Sequence, residues 1–260
     1  MHDPWIRLKQ YTQARIAQGR AGCGLRTESL LEFQLAHAMA RDAVHLPWDV
    51  EGFARGVAAL GLQPLVLATQ AQERVQYLKR PDLGRVLNSD SRERLQRLAG
   101  PAADIALIVS DGLSSTAIEA HGLNLLAAIV EAYRQGGLPC EEREGYYAKP
   151  AIAPVCLVPN ARVALSDEIG SLLSAKLTVI VVGERPGLSA ADSLGIYMTY
   201  NPNSANTDAE RNCISNIRPP EGLSCQEAAA KLAYLSQQAF QRRLSGVALK
   251  DDMPKAFLMR

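Results

Sequence analysis

With 260 residues, 47% of them hydrophobic, the chain is long enough for one large α/β domain with a helical extension, or for two unequal domains. Its 28 basic side chains against 27 acidic ones leave a formal net charge of +1, which provides no field to hold a nucleic acid or an anionic membrane surface. Small molecules or proteins are therefore the expected partners.

The first ten residues carry Pro4, Arg7 and Lys9 without an apolar stretch behind them, and no later apolar run reaches membrane-spanning length, so the chain reads as cytosolic. Trp5, Ile6, Leu8, Tyr11 and Ile16 recur near helical spacing. Ser29 with Glu32 matches a capping box for a helix over residues 30–44. Breaks are expected at Gly22-Cys23-Gly24 and at Pro47. Residues 49–60 read as a third helix stopped by Gly61, residues 64–69 as a short strand and residues 90–98 as a charged helix. This first region, residues 1–100, is mainly helical and holds no obvious reactive cluster; a boundary is expected near Gly100-Pro101.

From Pro101 the pattern alternates. Residues 105–109 read as a strand, 114–134 as a helix, 151–158 as a strand, 166–173 as a helix, 177–182 as a buried β-branched strand and 195–200 as a last strand. Strands separated by helices imply parallel βαβ units. The expected fold class is α/β, with a Rossmann-like, doubly wound, mainly parallel sheet over residues 101–260. Residues 135–149 read as an exposed linker, and residues 224–243 as a closing amphipathic helix with Ala228, Leu232, Leu235 and Ala239 inward.

The chemistry concentrates after the strand at 177–182, which ends abruptly in Gly183-Glu184-Arg185-Pro186-Gly187. Ligands of open α/β sheets bind at the carboxyl ends of strands, so Glu184 is a candidate ligand contact, against the plainer reading of a cap or a partner for Arg185. Cys213 lies in Arg211-Asn212-Cys213-Ile214-Ser215-Asn216, read as a polar loop where Arg211 and Arg218 would stabilise a thiolate. With no histidine base at hand, a packing or ligand-contact role outweighs a nucleophilic one. Asp111-Gly112-Leu113-Ser114 reads as a turn with Ser114 as N-cap, and Asp167-Glu168 as first-turn acids complementing a helix dipole. His37 and His121 read as surface or interface residues. Cys23, Cys140, Cys156, Cys213 and Cys225 form no C-x-x-C pair, which predicts reduced thiols and no structural zinc.

Taken together, several blocks follow one family order: Asp3-Pro4-Trp5, Leu31-Glu32-Phe33-Gln34-Leu35-Ala36-His37-Ala38, Ala40-Arg41-Asp42-Ala43-Val44-His45, Asp111-Gly112-Leu113-Ser114, Arg162-Val163-Ala164 with Asp167-Glu168-Ile169-Gly170, and Leu244-Ser245-Gly246-Val247-Ala248-Leu249-Lys250-Asp251-Asp252. With residues 183–189 and 211–218 they cover nearly the whole chain, which resembles the small subunit of ethanolamine ammonia-lyase. The resemblance implies an adenosylcobalamin enzyme that converts ethanolamine to acetaldehyde and ammonia, working with a separate large subunit and inactive without it. It implies cobalamin contacts at Val163, Glu184 and Cys213, no catalytic residue on this chain, and association with a bacterial microcompartment. No D-x-H-x-x-G motif is present, and Glu119-Ala120-His121-Gly122 does not supply one, so a base-on cofactor is implied. Pro219-Pro220-Glu221-Gly222, residues 137–149 and residues 201–206 depart from the family form. Two other readings are a stand-alone module for a nucleotide or flavin, which would lack a glycine-rich phosphate motif, and a purely structural scaffold subunit.

Overall fold

Two strands, β2 (Ile105–Ser110) and β4 (Leu177–Gly183), are buried at every position, as their near-continuous apolar sequences suit strands covered on both faces. They pair in parallel from Ile105↔Leu177 to Ser110↔Val182 at the centre of the sheet. A computed structural model of the chain describes residues 4–98, 103–135 and 151–254. The expected boundary at Gly100-Pro101, Cys140, and the expected linker beyond Gln135 lie outside the described residues.

Among the described residues, six strands form one sheet in the order β1-β3-β2-β4-β5-β6. β3 (Val155–Leu157) runs parallel to β2, and β1 (Pro64–Val66) parallel to β3. β5 (Leu194–Tyr200) and β6 (Arg211–Ile217) continue the sheet antiparallel to β4 and to each other. The fold class is α/β with a mixed sheet, which corrects the expected Rossmann-like, doubly wound, mainly parallel arrangement. The reason is local: residues 184–193 hold no crossover helix, so the chain turns back beside β4. The segment expected as a polar loop around Cys213 is edge strand β6.

Helices cover both sides. On one, α2 (Val50–Ala59), α6 (Leu123–Gln135) and α8 (Cys225–Arg242) pack Phe53, Ile129 and Leu232 against Leu107, Val179 and Ile196. On the other, α4 (Ser89–Leu98) and α7 (Leu165–Leu172) place Leu95 and Ile169 against Ile108 and Ile180. Each such side chain contributes roughly 1.5–3 kcal/mol by leaving water. β1, α2 and α4 come from the first hundred residues and share this sheet and these cores.

Helix starts test the capping expectations. Ser114 accepts from Ala117 N and opens α5 (Ser115–Ala117), which passes through a π-helical turn over Ile118–Gly122 into α6. Ser224 and Glu227 form a capping box on α8. The box expected from Ser29 and Glu32 is not formed: α1 (Thr27–His45) begins at Arg26 with no side-chain cap, which places both residues inside the helix. A 3₁₀-helix over Pro4–Tyr11 precedes it, and α1 buries only Ala43. A short helix, α3 (Arg74–Lys79), stands in a stretch with no sequence expectation.

Candidate functional site

Tyr197 on β5 and Cys213 on β6 are directly paired, so their side chains share one side of the sheet. Ile196 and Ile214 point to the opposite side and pack with α8. No buried apolar residue of β5 or β6 joins the core built around α4 and α7, and Cys213 is exposed. The result is a cleft of two lobes that share Arg162, Val163 and Tyr197 as a common wall. One lobe, of about 550 Å³, reaches Arg85, Asp208 and Cys213. The other, of about 440 Å³, reaches Glu184, Arg185 and Ser215. Val163, Glu184 and Cys213 thus line one cleft.

Val163 is set by the loop after β3. Asn160 takes a left-handed conformation (φ 57°), which aims successive amides at the end of β2: Asn160 N donates to Asp111 Oδ1 at 2.7 Å and Ala161 N to Ser110 Oγ at 3.1 Å. Val163 then packs its branched side chain partly into the α7 core, and its carbonyl accepts from Ser166 Oγ at 2.8 Å. Asp111 is therefore more than a turn residue. It is buried and paired with Arg74 at 2.9 Å; burial pushes its carboxyl up, against the pull of Arg74. Arg74 also donates to Val44 O and Gly112 O, tying α1 and the β2 turn to this corner. Ser114 is the N-cap that the sequence predicts.

Tyr77, from α3, is the platform of the shared wall. The Arg162 guanidinium lies 4.2 Å from its ring centroid and that of Arg74 5.1 Å, while Tyr77 OH donates to Ala161 O at 3.2 Å. Burial pushes the Tyr77 phenol up to about 12, so it stays protonated. Sequence reasoning does not find Tyr77, because six helical residues are too few to show a period, and it meets Arg162 only as a flank of Val163.

Glu184 sits where the strand-end argument puts it, but its carboxylate is already held from three sides. Ser193 Oγ donates at 2.6 Å, Ser215 Oγ donates to the other oxygen, and Asn216 N donates at 3.3 Å. Gly195 makes the space: a Cβ there would stand 2.9 Å from Glu184 Oε1. Opposite it β6 bulges, with Leu194 pairing Ile217 and Ile196 pairing Ile214, which delivers both Ser215 and Asn216 to Glu184. The segment 184–193 is pinned in turn. Ser114 Oγ donates to Ala191 O at 2.7 Å, and Asp192 meets His121 and Arg218 at 3.2 Å each. Burial alone would raise the Asp192 carboxyl, but the bonds from His121 and Arg218 outweigh it and hold it below the usual carboxylate range. His121, expected at a surface or interface, is half-buried and serves this clamp.

Cys213 is exposed, and its flanking arginines do not face it, which corrects the expectation that they would stabilise a thiolate. Arg211 pairs with Asp167, and with Asp208 at 2.8 Å; Arg218 pairs with Asp192. Desolvation by the cleft wall pushes the Cys213 thiol up, Tyr197 pulls it down by hydrogen bonding and the Glu184 charge raises it further, so a neutral thiol faces the cleft. Asp167 and Glu168 also do more than complement a dipole. Asp167 is the buried partner of Arg211, and Glu168 accepts from Leu87 N at 3.0 Å and pairs with Arg92 at 2.5 Å. Cys23, Cys156, Cys213 and Cys225 are free. Among the described residues no cluster of histidine, cysteine and acidic side chains could hold a metal, and no helix is long and apolar enough to cross a membrane.

Comparison with known proteins identifies the family. The sequence model of the ethanolamine ammonia-lyase light chain (EutC) matches residues 2–250. The ethanolamine ammonia-lyase small subunit of Azotobacter vinelandii is 49% identical over 259 residues, covering 98% of this chain and 91% of that protein. Those of Pseudomonas fluorescens Pf-5 (49% over 253 residues, 96% of this chain and 88% of that one) and Xanthomonas campestris pv. campestris (47% over 259 residues, 98% and 90%) are similar throughout as well. A match of this extent and identity shows that the chain belongs to the ethanolamine ammonia-lyase light chain family and is a subunit of an ammonia-lyase.

Proposed function

We propose that this chain is the small subunit of an adenosylcobalamin-dependent ethanolamine ammonia-lyase, converting ethanolamine to acetaldehyde and ammonia with a large subunit by a radical mechanism. Val163, Glu184 and Cys213 are its contacts to the cofactor. One observation carries the reading: three positions widely separated in sequence line a single open cleft. The cleft suits a large macrocycle fringed with amides, half of which another chain covers. It offers apolar surface at Val163 and Tyr197, an acceptor at Glu184 and donors at Arg85 and Arg162. When bound, adenosylcobalamin supplies a radical by homolysis of its cobalt–carbon bond.

The residues of this chain bind and orient. Val163 packs a branched side chain against the ring system. Glu184, fixed by Ser193, Ser215 and Asn216, keeps lone-pair capacity for an amide N–H, because a carboxylate has about four acceptor sites. Cys213 gives a small, neutral, soft contact beside Tyr197. A base-on cofactor is part of this reading; His121 is engaged by Asp192. All three contacts lie in residues 101–260, so we divide the chain functionally into a cobalamin-binding region there and a helical region over 1–100. The exposed Leu31, Leu35 and Met39 of α1 are surface for the large subunit to cover. The assembled enzyme is placed in the cytoplasm, within a bacterial microcompartment.

The test is co-expression with a large subunit, followed by an assay of adenosylcobalamin-dependent release of ammonia and acetaldehyde, with each subunit alone as control. Activity in the mixture alone is expected, as is a marked loss of cobalamin affinity in Glu184→Ala. An assembled complex that binds no cobalamin, or a purified chain that carries a flavin or nucleotide, would overturn the reading. Unchanged affinity in Glu184→Ala would reduce the chain to a scaffold.

A further inference from the structure

We infer that the lobe between Arg85 and Arg162 is an anion subsite, and that it receives the phosphodiester of the cofactor's nucleotide tail. This rests on the cobalamin reading above. The charges of the two lobes are unequal. In the lobe of Cys213, Arg211 is neutralised by Asp167 and Asp208, whereas neither Arg85 nor Arg162 has a carboxylate within ion-pair distance among the described residues. In the other lobe Arg185 stands with Glu184, so positive and negative charge are both present.

Arg162 is built to present its guanidinium. Its head stacks on Tyr77 and donates one N–H to Tyr77 O at 3.3 Å, and its buried Nε has no hydrogen-bond partner. Its backbone N–H donates to Gly84 O at 2.8 Å, which joins the Arg162 loop to the 3₁₀ turn Leu83–Arg85 that carries the second arginine. Gly84 permits that approach, since a Cβ there would come within 2.9 Å of Asn160 O and the Tyr77 ring. Two arginines on bonded segments, one rigidly stacked, with no acid to answer them, leave a half-enclosed positive site. A planar fork of donors matches phosphate oxygens, and an anion that fills the lobe removes the cost of an unpaired cation in a cleft wall. Cobalamin carries its phosphodiester as its one permanent anionic substituent, its other peripheral groups being amides.

The experiment uses the assembled two-subunit complex and follows corrinoid binding by visible absorbance, independently of turnover. Cobalamin is compared with cobinamide, which lacks the nucleotide tail and its phosphodiester, and inorganic phosphate is added as a competitor. Arg162→Gln and Arg85→Gln are each expected to weaken cobalamin binding by roughly tenfold or more, the scale of a lost charge-assisted bond, and to leave cobinamide unchanged. Phosphate should compete with cobalamin in the wild type and less in either variant. Arg185→Gln, in the other lobe, should leave the ratio of the two affinities unchanged. Where Arg162→Gln does not assemble, Arg162→Lys serves, with an intermediate ratio expected because charge survives while the fork is lost. Equal loss for both corrinoids, or loss for neither, overturns the inference. Weakened phosphate binding with an unchanged cobalamin-to-cobinamide ratio also overturns it, by making the lobe a site for a free anion. Where cobinamide binds too weakly to titrate, phosphate competition that persists undiminished in the variants is the overturning result. A wild-type complex that binds neither corrinoid overturns the function proposed above and this inference with it.

Discussion

β2 and β6 are strands of similar length in one sheet, yet every residue of β2 is buried while β6, at its edge, exposes Cys213, Ser215 and Asn216. The difference is cover. β2 lies between two helical layers and is held by apolar contact on both sides, whereas β6 has α8 on one side and the cleft on the other. An edge strand without a second apolar face must be fixed by polar ties, and β6 has several, among them Arg211 to Asp167, Ser215 and Asn216 to Glu184, and Asn212 Nδ2 to Leu249 O at 2.9 Å. Arg218 just beyond it adds another, to Asp192. The side of the sheet that apolar packing leaves uncovered is the side that lines the cleft.

The sharpest way to break this contrast is to cut the tie that is itself buried. Arg211 and Asp167 each expose only 4% of their side chains, so removing one leaves the other's charge in a dry interior. Asp167→Ala is expected to cost about 3–5 kcal/mol, with Asp208 keeping the loss toward the lower end. Chemical denaturation reads this directly. A cost below about 1 kcal/mol would mean that packing, not the ion pair, holds β6. Somewhat smaller is the loss expected from the closed half. Ile108 is fully buried in the layer of α4 and α7, and Ile108→Ala should cost roughly 2–5 kcal/mol, the scale of a core truncation with incomplete collapse. In the assembled complex Ile108→Ala should leave cobalamin affinity close to wild type, since the residue touches neither lobe. A parallel loss of affinity and stability would show that the two halves are not separable.

The same contrast explains what the sequence makes legible. The closed half announces itself: a β-branched, largely apolar run at 177–182 reads as a buried strand, and Ser114 marks a helix start because its side chain bonds a backbone amide a few residues away. The open edge is harder, because its pattern serves two masters. In β6 the buried Ile214 and Ile217 are three residues apart, since the bulge inserts a residue and Asn216 turns left-handed (φ 60°), so the period of two that marks a strand is lost. The antiparallel return of β5 depends on what residues 184–193 fail to form, and no local signal states that. Glu184 is legible from its place after a strand. The serines that grip it, and Tyr77 beneath Arg162, come from distant elements and can be known only once the chain is folded.

The smallest expected effect probes the clamp at the edge of the cleft. Asp192 joins the β4–β5 connection to His121 in the π-helical turn and to Arg218 after β6, and Arg218 has a weaker contact with Glu221 at 3.8 Å. The Asp192 carboxyl is held below its ordinary value, so the folded state binds its proton less readily than the unfolded chain does. Its contribution to stability is then fully present above the unfolded carboxyl pKa of about 4 and is lost as pH falls through the lower folded value. Since the side chain is about a third exposed, solvent screens the ion pairs and the effect is modest. Asp192→Asn keeps the shape and removes the titration. Denaturation midpoints of the two proteins, measured from neutral pH down through pH 4, should therefore converge on the acid side. A gap that stays constant would assign the clamp to shape alone, and one that widens toward acid would reverse the sign of the linkage. If the clamp also steadies Ser193, and through it Glu184, then cobalamin affinity of the complex should fall over the same acid range in wild type and less steeply in Asp192→Asn.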